Sequence, residues 1–551
     1  MGFLKHNTKN DYNMTRMISR VAALLIALVL SIGASSANPK PKLIINIVVG
    51  SMRASDIDRY MDNFSAGGFR RLVGGGYRYT NASYNYAYTN TVAGLATLST
   101  GTLPSVHGIV GEQWWNYVNG TKVSLIADSN ATSINPLYNN SAYSAHNLIA
   151  PTMGDMLKQT DAKSKVFTIA LNPSSSIALN GKSGVAYWLD DKEAHWITSS
   201  AFASKLPAWV DKYNAKGDNK NYTIKRWTPT RDIRRYINDE VAVVEDIKNK
   251  STKLISGVNL KLAEDIHGKL LYTPAGNNAV LNFGLRVILN EALGKDTHTD
   301  ILNIYLDTAR NIAETYGPES IEYEDMLYRL DNVLSNFIDY LYKSFSNPQD
   351  ILIVLTSDHG TSPSYNPAGG TARKRFNLRQ VSVLANADIC AQFGTPTGNK
   401  SYISGVENNA VYLDHKRISE YGLDIDIIRE RLASFILQME GVSNVVTATS
   451  LRNNSFIEGR NQLLQNSFYP TRSGDVLIDL KPSCIVEDID RRSGSDGGYN
   501  YDRNVPLIIY RAGKPQVIKR KVDMTQLAPT IAAIAEFESP WASEAEPLEE
   551  F

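Results

Sequence analysis

Short, unbroken apolar runs mark the strands of a buried sheet. They are Leu43–Val49, residues 301–306 and residues 351–355, all rich in Ile, Leu and Val. Runs of this kind predict strands that are covered on both faces, as in a parallel sheet. Between the last two runs, apolar residues recur every three or four positions over 321–343, which predicts an amphipathic helix with Ser320 as its N-cap. This strand–helix–strand order predicts a parallel crossover unit.

A second predicted helix covers about 424–439 and ends at Gly441, with predicted strands at 410–413 and 445–447. The stretch 172–299 is more polar and irregular, and we interpret it as an insertion over the sheet. Together these patterns predict an α/β fold, in which helices flank a largely parallel central sheet and an inserted cap region covers part of it.

The N-terminus has the pattern of a targeting segment. Arg16 and Arg20 precede an apolar run at 21–32, and small residues follow at 33–37. This order predicts a secretory signal peptide over 1–37. The apolar run is shorter than the roughly 20 residues of a spanning helix. We therefore expect an exported protein, periplasmic or extracellular, that does not span the membrane. The sequence leaves open which of the first three methionines (Met1, Met14, Met17) starts translation.

Composition excludes several classes of protein. The 551 residues are 43% hydrophobic and 21% charged, as in an ordinary globular protein. Lys and Arg number 57 against 56 Asp and Glu, so no net field favours nucleic acid, and we expect no nucleic-acid partner. The two cysteines, Cys390 and Cys484, have the option of pairing in an oxidising compartment, and the sequence leaves this open.

Candidate functional residues follow the predicted strands. Gly50 follows the first, Arg310 comes shortly after the second, and Asp358 and His359 come directly after the third. Open parallel sheets bind ligands beyond the carboxyl ends of their strands. An adjacent carboxylate and imidazole can both reach one cation, although a hydrogen-bonded loop pair is the alternative interpretation.

A longer motif makes the pattern specific. Residues 88–97 read YTNTVAGLAT and residues 104–109 read PSVHGI. This region resembles the nucleophile region of the alkaline phosphatase superfamily, in the threonine-nucleophile branch with nucleotide pyrophosphatase/phosphodiesterases and phosphate-irrepressible alkaline phosphatases. Further matches follow in the family's order: GPES at 317–320, TSDHG at 356–360, FYPTRSGD at 468–475 and YNYD at 499–502.

The resemblance implies an alkaline-phosphatase-like sandwich. The predicted organisation is a signal peptide (1–37), a first core part with the nucleophile region (38–171), the inserted cap (172–299), a second core part (300–365), a smaller α+β subdomain (366–465) and a C-terminal core part (466–551).

The resemblance also implies two zinc ions, held by three aspartates and three histidines. Thr91 matches the nucleophile, and Asp358 and His359 match two ligands of the metal that activates it. The third ligand of that metal, an aspartate in the family, falls on Gly50.

At the other metal, no ligand keeps its family form. The aspartate falls on Arg310, one histidine on Glu314, and the last histidine on Ser495, or on Asp496 if the register is shifted. A catalytic zinc normally has three protein ligands. We therefore expect a degenerate zinc site and no cofactor, and zinc only if the site still functions, with Glu314 and Asp496 as candidate extra ligands.

Positions that contact substrate in the family are altered as well. Glu112 replaces an asparagine that holds a phosphoryl oxygen, and Asn172 and Ser174 fall near the lysine and arginine of the monoesterase branch. The carboxylates at the ligand positions outnumber Arg310, which predicts a pocket that repels phosphate. We expect the Arg310 guanidinium to fill the former metal space and to pair with Asp358, Glu314 or both; a solvent-facing arginine is the alternative.

The residues support three functional hypotheses. The leading one is an exported pseudo-phosphatase/phosphodiesterase, not an enzyme, that binds or scaffolds an unidentified protein or glycan partner. The alternative is an active metal-dependent phosphoric ester hydrolase with a rebuilt single-metal site around Thr91, Asp358 and His359. The third is a carbohydrate- or peptide-binding module that uses the Tyr-rich segment 77–88. Fold alone does not choose among them.

Overall fold

The computed structural model describes residues 39–134, 142–222, 227–238, 243–246, 251–254, 266–365, 375–487 and 491–551. Pro41–Phe551 forms one compact unit. The predicted signal peptide lies outside the described residues, and export stays a prediction. In the part of the chain that is described, no helix has the length and apolar character needed to cross a membrane.

A large mixed sheet forms the centre of the unit. In its described part the strand order is β19-β2-β18-β11-β1-β10-β5-β6-β7, with β20 paired to β2. The strands, in chain order, are β1 (Leu43–Val49), β2 (Gly76–Ser83), β3 (Gln113–Trp115), β4 (Lys122–Ser124), β5 (Val166–Ile169), β6 (Val185–Leu189), β7 (Trp196–Ile197), β8 (Val243–Asp246), β9 (Ser251–Leu254), β10 (Asp300–Leu306), β11 (Ile351–Thr356), β12 (Arg375–Phe376), β13 (Ile403–Glu407), β14 (Ala410–Leu413), β15 (Val442–Thr447), β16 (Val476–Leu480), β17 (Ile485–Val486), β18 (Asn504–Tyr510), β19 (Gln516–Ile518) and β20 (Val522–Asp523).

The predicted parallel centre of the sheet is confirmed. β1 lies between β10 and β11 and runs parallel to both, with Leu43 opposite Asp300 and Ile351. Every residue of these three strands is buried. Ile44 and Val48 join a hydrophobic core on one face, whereas Ile45, Ile47 and Val49 join a second core on the other. Burial on both faces explains why the strands read as unbroken apolar runs.

Helices cover both faces of the sheet. They are α1 (Ala54–Tyr60), α2 (Phe69–Gly75), α3 (Thr91–Thr100), α4 (Pro104–His107), α5 (Met153–Thr160), α6 (Pro173–Asn180), α7 (Ala208–Lys216), α8 (Ile266–Tyr272), α9 (Ala275–Asn290), α10 (Asp307–Tyr316), α11 (Ile321–Ser344), α12 (Leu378–Phe393), α13 (His415–Glu420), α14 (Ile425–Ile436), α15 (Ala448–Asn453), α16 (Gly459–Ser467), α17 (Asn500–Arg503) and α18 (Leu527–Ala535). The predicted helix at 321–343 is α11, and the Ser320 side chain accepts a hydrogen bond from the Tyr323 N–H. The predicted helix at 424–439 is α14, with Asp424 as its N-cap.

A smaller antiparallel sheet has the order β13-β14-β16-β15 and its own core with α12 and α14. It includes β16, which lies beyond the predicted subdomain 366–465, and the predicted domain boundaries stay predictions. Cys390 and Cys484 both contact this core, and no disulfide joins these two described residues.

Most of the Tyr-rich segment is buried. Tyr79, Tyr84 and Tyr86 are each at most 1% exposed and belong to the main core. Tyr77 and Tyr88 are half-buried, and Tyr88 lines the cavity described below. The third functional hypothesis stays a prediction.

Candidate active site

Thr91 is the first residue of α3. The Asn90 side chain caps this helix by accepting a hydrogen bond from the Ala93 N–H at 3.0 Å. One turn later, α3 packs directly on the loop after β11, since a Cβ on Gly94 would lie 2.1 Å from the Asp358 carbonyl oxygen. Only glycine permits this close approach. It brings the start of α3 to the carboxyl edge of the sheet.

The predicted convergence of Thr91, Asp358 and His359 is present. Thr91 Oγ1 lies 3.2 Å from His359 Nε2, and His359 Nε2 lies 3.2 Å from Asp358 Oδ2. His359 Nδ1 lies 2.6 Å from the Gly360 carbonyl oxygen, which only accepts, so Nδ1 carries a proton. In the neutral ring, Nε2 is then the acceptor for the Thr91 hydroxyl. The roles of these residues stay predictions.

Asp358 is fully buried and its oxygens are already engaged. Oδ1 accepts from the Ser51 N–H at 2.9 Å and from Ser357 Oγ at 3.2 Å, and Oδ2 accepts from the Tyr305 hydroxyl at 2.9 Å. These donors satisfy the carboxylate without a metal ion.

Tyr305 and Arg310 occupy the space beside Gly50. A Cβ on Gly50 would lie 2.7 Å from the Tyr305 hydroxyl oxygen and 2.8 Å from Arg310 Cβ. An aspartate here, as the resemblance implies, would therefore displace one of these side chains. From this space Tyr305, on β10, donates its hydroxyl to Asp358.

Arg310 reaches the predicted nucleophile but does not form the predicted ion pair. Its Nη1 donates to Thr91 Oγ1 at 3.0 Å and its Nη2 to Asn311 Oδ1 at 3.2 Å. In the described part of the chain, no carboxylate oxygen of Asp358 or Glu314 lies within 4.0 Å of an Arg310 guanidinium nitrogen. The prediction of a direct pair is therefore wrong, because the Tyr305 hydroxyl satisfies Asp358. The prediction that the guanidinium is not solvent-facing agrees with the structure, in which Arg310 is half-buried and its Nε is fully buried. Desolvation lowers the pKa of Arg310, but nearby Tyr305 and Glu314 raise it above its usual value.

Glu314 pairs with an arginine that the sequence does not predict. Arg491 Nη2 lies 3.5 Å from Glu314 and Arg491 Nη1 lies 3.2 Å from Asp496. Ser495, one of the two candidates for the last family histidine position, is buried, and its hydroxyl donates to the Thr89 carbonyl oxygen. Glu314 and Asp496, the candidate extra ligands, thus both pair with Arg491.

A cavity of about 530 Å³ opens onto these residues. Its charged lining residues are Glu112, Glu314, Glu407, Asp496, Arg310 and Arg491. Carboxylates thus outnumber guanidinium groups in the lining. Asn172 and Ser174 do not line the cavity; Asn172 caps α6 by accepting from the Ser174 N–H at 2.8 Å.

Asp307, at the end of β10, is fully buried behind Arg310. Burial raises the pKa of Asp307 to about 6, although the positive charge of Arg310 and the N–H of Leu171 oppose this shift. The charge of Arg310 is therefore balanced in part by Asp307, in addition to Glu314.

Zinc, which the resemblance implies, does not fit the residues present. Within the described ranges, no three His, Cys, Asp or Glu side chains are arranged to hold a metal ion. Gly50 supplies no ligand, and the space for one is filled by Tyr305 and Arg310. Of the predicted ligands, only Asp358 and His359 lie together with Thr91.

The sequence does not predict Tyr305, Arg491 or the Asn408–Asn409 turn that lines the cavity. Tyr305 lies inside an apolar run, where nothing separates a core tyrosine from one that faces a site. Arg491 lies in a loop with no motif of its own. The turn comes from the smaller sheet, which the sequence does not place against the site.

Comparison with known proteins gives matches over nearly the whole chain. The model of the type I phosphodiesterase / nucleotide pyrophosphatase family matches residues 44–498. The chain is 29% identical to a protein of Myroides odoratus named calcium-transporting ATPase, covering 94% of this chain and 96% of that one. It is 27% identical to alkaline phosphatase PafA of Elizabethkingia meningoseptica, covering 96% and 98%. The crystal structure of wild-type PafA aligns with a TM-score of 0.83 at 26% identity, covering 93% of this chain and 99% of that chain.

Proposed function

Because this chain belongs to the type I phosphodiesterase / nucleotide pyrophosphatase family, we propose that it is an exported member in which two-zinc catalysis has been lost and which binds or scaffolds a protein or glycan partner. The predicted resemblance to the alkaline phosphatase superfamily and its fold is confirmed. The loss of zinc chemistry is our proposal. One observation carries it: Tyr305 and Arg310 occupy the space in which the family's metal ligand at Gly50 would lie.

The electrostatics support the same proposal. Two-metal sites place strong positive charge around the transferring phosphoryl group. Here one guanidinium contacts the Thr91 hydroxyl, and a second is shared by Glu314 and Asp496. Because carboxylates outnumber these cations around the cavity, a dianionic phosphate ester gains little there.

A second candidate is a surviving phosphoric ester hydrolase with a rebuilt site. The names of the relatives support it more directly than they support the first, because PafA and PhoV of Synechococcus elongatus are named alkaline phosphatases. The geometry that favours it is the 3.2 Å contact between Thr91 Oγ1 and His359 Nε2, which places an imidazole beside the predicted nucleophile.

Metal analysis and a substrate panel test the two candidates together. The full chain is loaded with excess zinc, desalted and analysed by mass spectrometry for bound metal. Turnover of p-nitrophenyl phosphate and bis-p-nitrophenyl phosphate is compared with that of Thr91→Ala. We expect much less than one zinc per chain and no turnover above the variant. Stoichiometric zinc, or turnover that Thr91→Ala abolishes, would establish the hydrolase and reject our proposal.

A further inference from the structure

A second cavity of about 590 Å³ lies outside the candidate active site. The start of α16, the short helix α17 and Lys521 line it. Its charged lining residues are Arg460, Arg503 and Lys521, and no carboxylate lines it. The first cavity has the opposite balance, with more carboxylates than guanidinium groups. An anion is therefore favoured at the second cavity rather than at the former catalytic site.

The three cations are not equivalent. Arg460 is committed to the fold, because its Nε donates to Asp479 at 2.9 Å and its Nη1 to the Gly498 carbonyl oxygen at 2.8 Å. Its guanidinium also stacks on Tyr499, 4.5 Å from the ring centre. Arg460 therefore forms a wall of the cavity.

Arg503 and Lys521 retain capacity for a ligand. Arg503 makes two long hydrogen bonds of 3.2 Å, to the Tyr84 carbonyl oxygen and to Asn500 Oδ1, while its buried Nε has no hydrogen-bond partner. Lys521 is exposed and forms no ion pair of 4.0 Å or less within the described chain. Each Nη of Arg503 carries two N–H groups and uses one of them in these bonds, so the guanidinium keeps donors for a ligand oxygen.

Carboxylates near this cavity are set back from its surface. Asp502 is fully buried and Asp523 is partly buried, and neither lines the cavity. Burial raises the pKa of both, so they offset the cations only in part. Burial and the charge of Arg460 lower the pKa of Arg503, an effect that a bound anion would reverse.

The remaining lining residues supply neutral polar groups. They include the side-chain amides of Asn85, Gln462 and Asn500 and the ring of Tyr501. Gly459, the first residue of α16, also lines the cavity, and no side chain caps this helix. We propose that this cavity binds a tetrahedral oxyanion, carried as a phosphate or sulfate ester, through Arg503 and Lys521.

Isothermal titration calorimetry on the full chain tests this site. The probes are glucose 6-phosphate, glucose 6-sulfate and glucose. We expect at least one ester to bind and glucose to give no heat, and the ester with the higher affinity identifies the source of the oxyanion. Binding should weaken as NaCl is raised, because exposed charges are screened. If neither ester binds at millimolar concentration, the proposal is wrong.

Substitutions locate the binding. Arg503→Gln should weaken it about tenfold or more, as expected for a hydrogen bond to a charged group. Since Arg503 also supports the Tyr84 carbonyl, the exposed Lys521→Glu serves as a variant that spares the fold and should weaken binding comparably. Lys519→Gln, an exposed lysine outside the cavity, and Arg310→Met at the first cavity should leave binding unchanged. Binding that Lys521→Glu leaves intact, or that Arg310→Met removes, would contradict the assignment.

Discussion

The packing around Gly50 makes a quantitative prediction about stability. Gly50→Ala adds one Cβ, which would lie 2.7 Å from the Tyr305 hydroxyl oxygen and 2.8 Å from Arg310 Cβ. The backbone at Gly50 has no positive φ, so the expected cost is steric rather than conformational. Insertion of an extra carbon into a packed region costs about 1–3 kcal/mol. We expect Gly50→Ala to lower the free energy of unfolding by this amount.

A double-mutant cycle shows whether Tyr305 is the cause. Tyr305→Phe removes the hydroxyl and with it the 2.9 Å hydrogen bond to Asp358, so it is destabilising by itself. In the Gly50→Ala background, Tyr305→Phe also relieves the shorter of the two contacts. We therefore expect the double variant to be destabilised by about 1 kcal/mol less than the sum of the two single variants. Relief should be incomplete, because Arg310 Cβ is fixed by α10.

Urea unfolding followed by tryptophan fluorescence and circular dichroism measures these differences, provided that the two probes coincide. Gly74→Ala is the matched control, since a Cβ there meets nothing within 4 Å and the residue lies in α2. It should be neutral or slightly stabilising. If Gly50→Ala were as stable as the parent chain, the space beside Gly50 would be free and the argument against a metal ligand at this position would fail.

Three further outcomes follow from the site and its surroundings. Burial raises the pKa of Glu322 from 4.5 to about 7, and its Oε2 has no hydrogen-bond partner. Because the folded state binds this proton more tightly than the unfolded state, the free energy of unfolding should fall by about 3 kcal/mol as pH rises from about 4.5 through 7. Glu322→Gln should remove this contribution to the pH dependence in urea unfolding and leave the part due to other buried carboxyls such as Asp307; an unchanged profile would contradict the prediction. Arg310→Met removes the hydrogen bond to Thr91 and should cost about 1.5–3 kcal/mol, measured in the same way; no loss would mean that the guanidinium is solvated. Zinc or EDTA should leave the thermal unfolding midpoint unchanged, whereas an upward shift with zinc would reveal a metal site.

The sequence predicts the centre of the fold well because buried strands appear as unbroken apolar runs and half-buried helices as apolar residues every three or four positions. β1 begins and ends where its apolar run does, and α11 covers the predicted range with the predicted cap. The relation between β1, β10 and β11 is less visible. The predicted crossover connects β10 to β11, but β1, from the start of the chain, lies between them. Such long-range insertion depends on the whole topology and leaves no local pattern.

The site is predictable only where a motif carries it. Thr91, Asp358 and His359 meet as their motifs imply. The wrong prediction is the ion pair of Arg310 with Asp358 or Glu314. It comes from counting charges at the predicted ligand positions, which assumes that every buried carboxylate needs a cation. Asp358 is instead satisfied by neutral donors from Ser51 and Tyr305. A hydroxyl or backbone N–H costs less desolvation than a guanidinium, and sequence alone does not show which donor reaches the carboxylate.

The substitutions at the site depend on one another physically. With a glycine at position 50, the Tyr305 hydroxyl can reach Asp358, and that contact lets Asp358 remain buried without a metal ion. Arg310 can then turn to Thr91 rather than to the carboxylate. Gly50→Asp would clash with Tyr305 and Arg310, and Tyr305→Phe would remove the hydroxyl donor of Asp358 Oδ2. Gly50→Asp alone should therefore yield a less stable protein without zinc rather than a partly active enzyme.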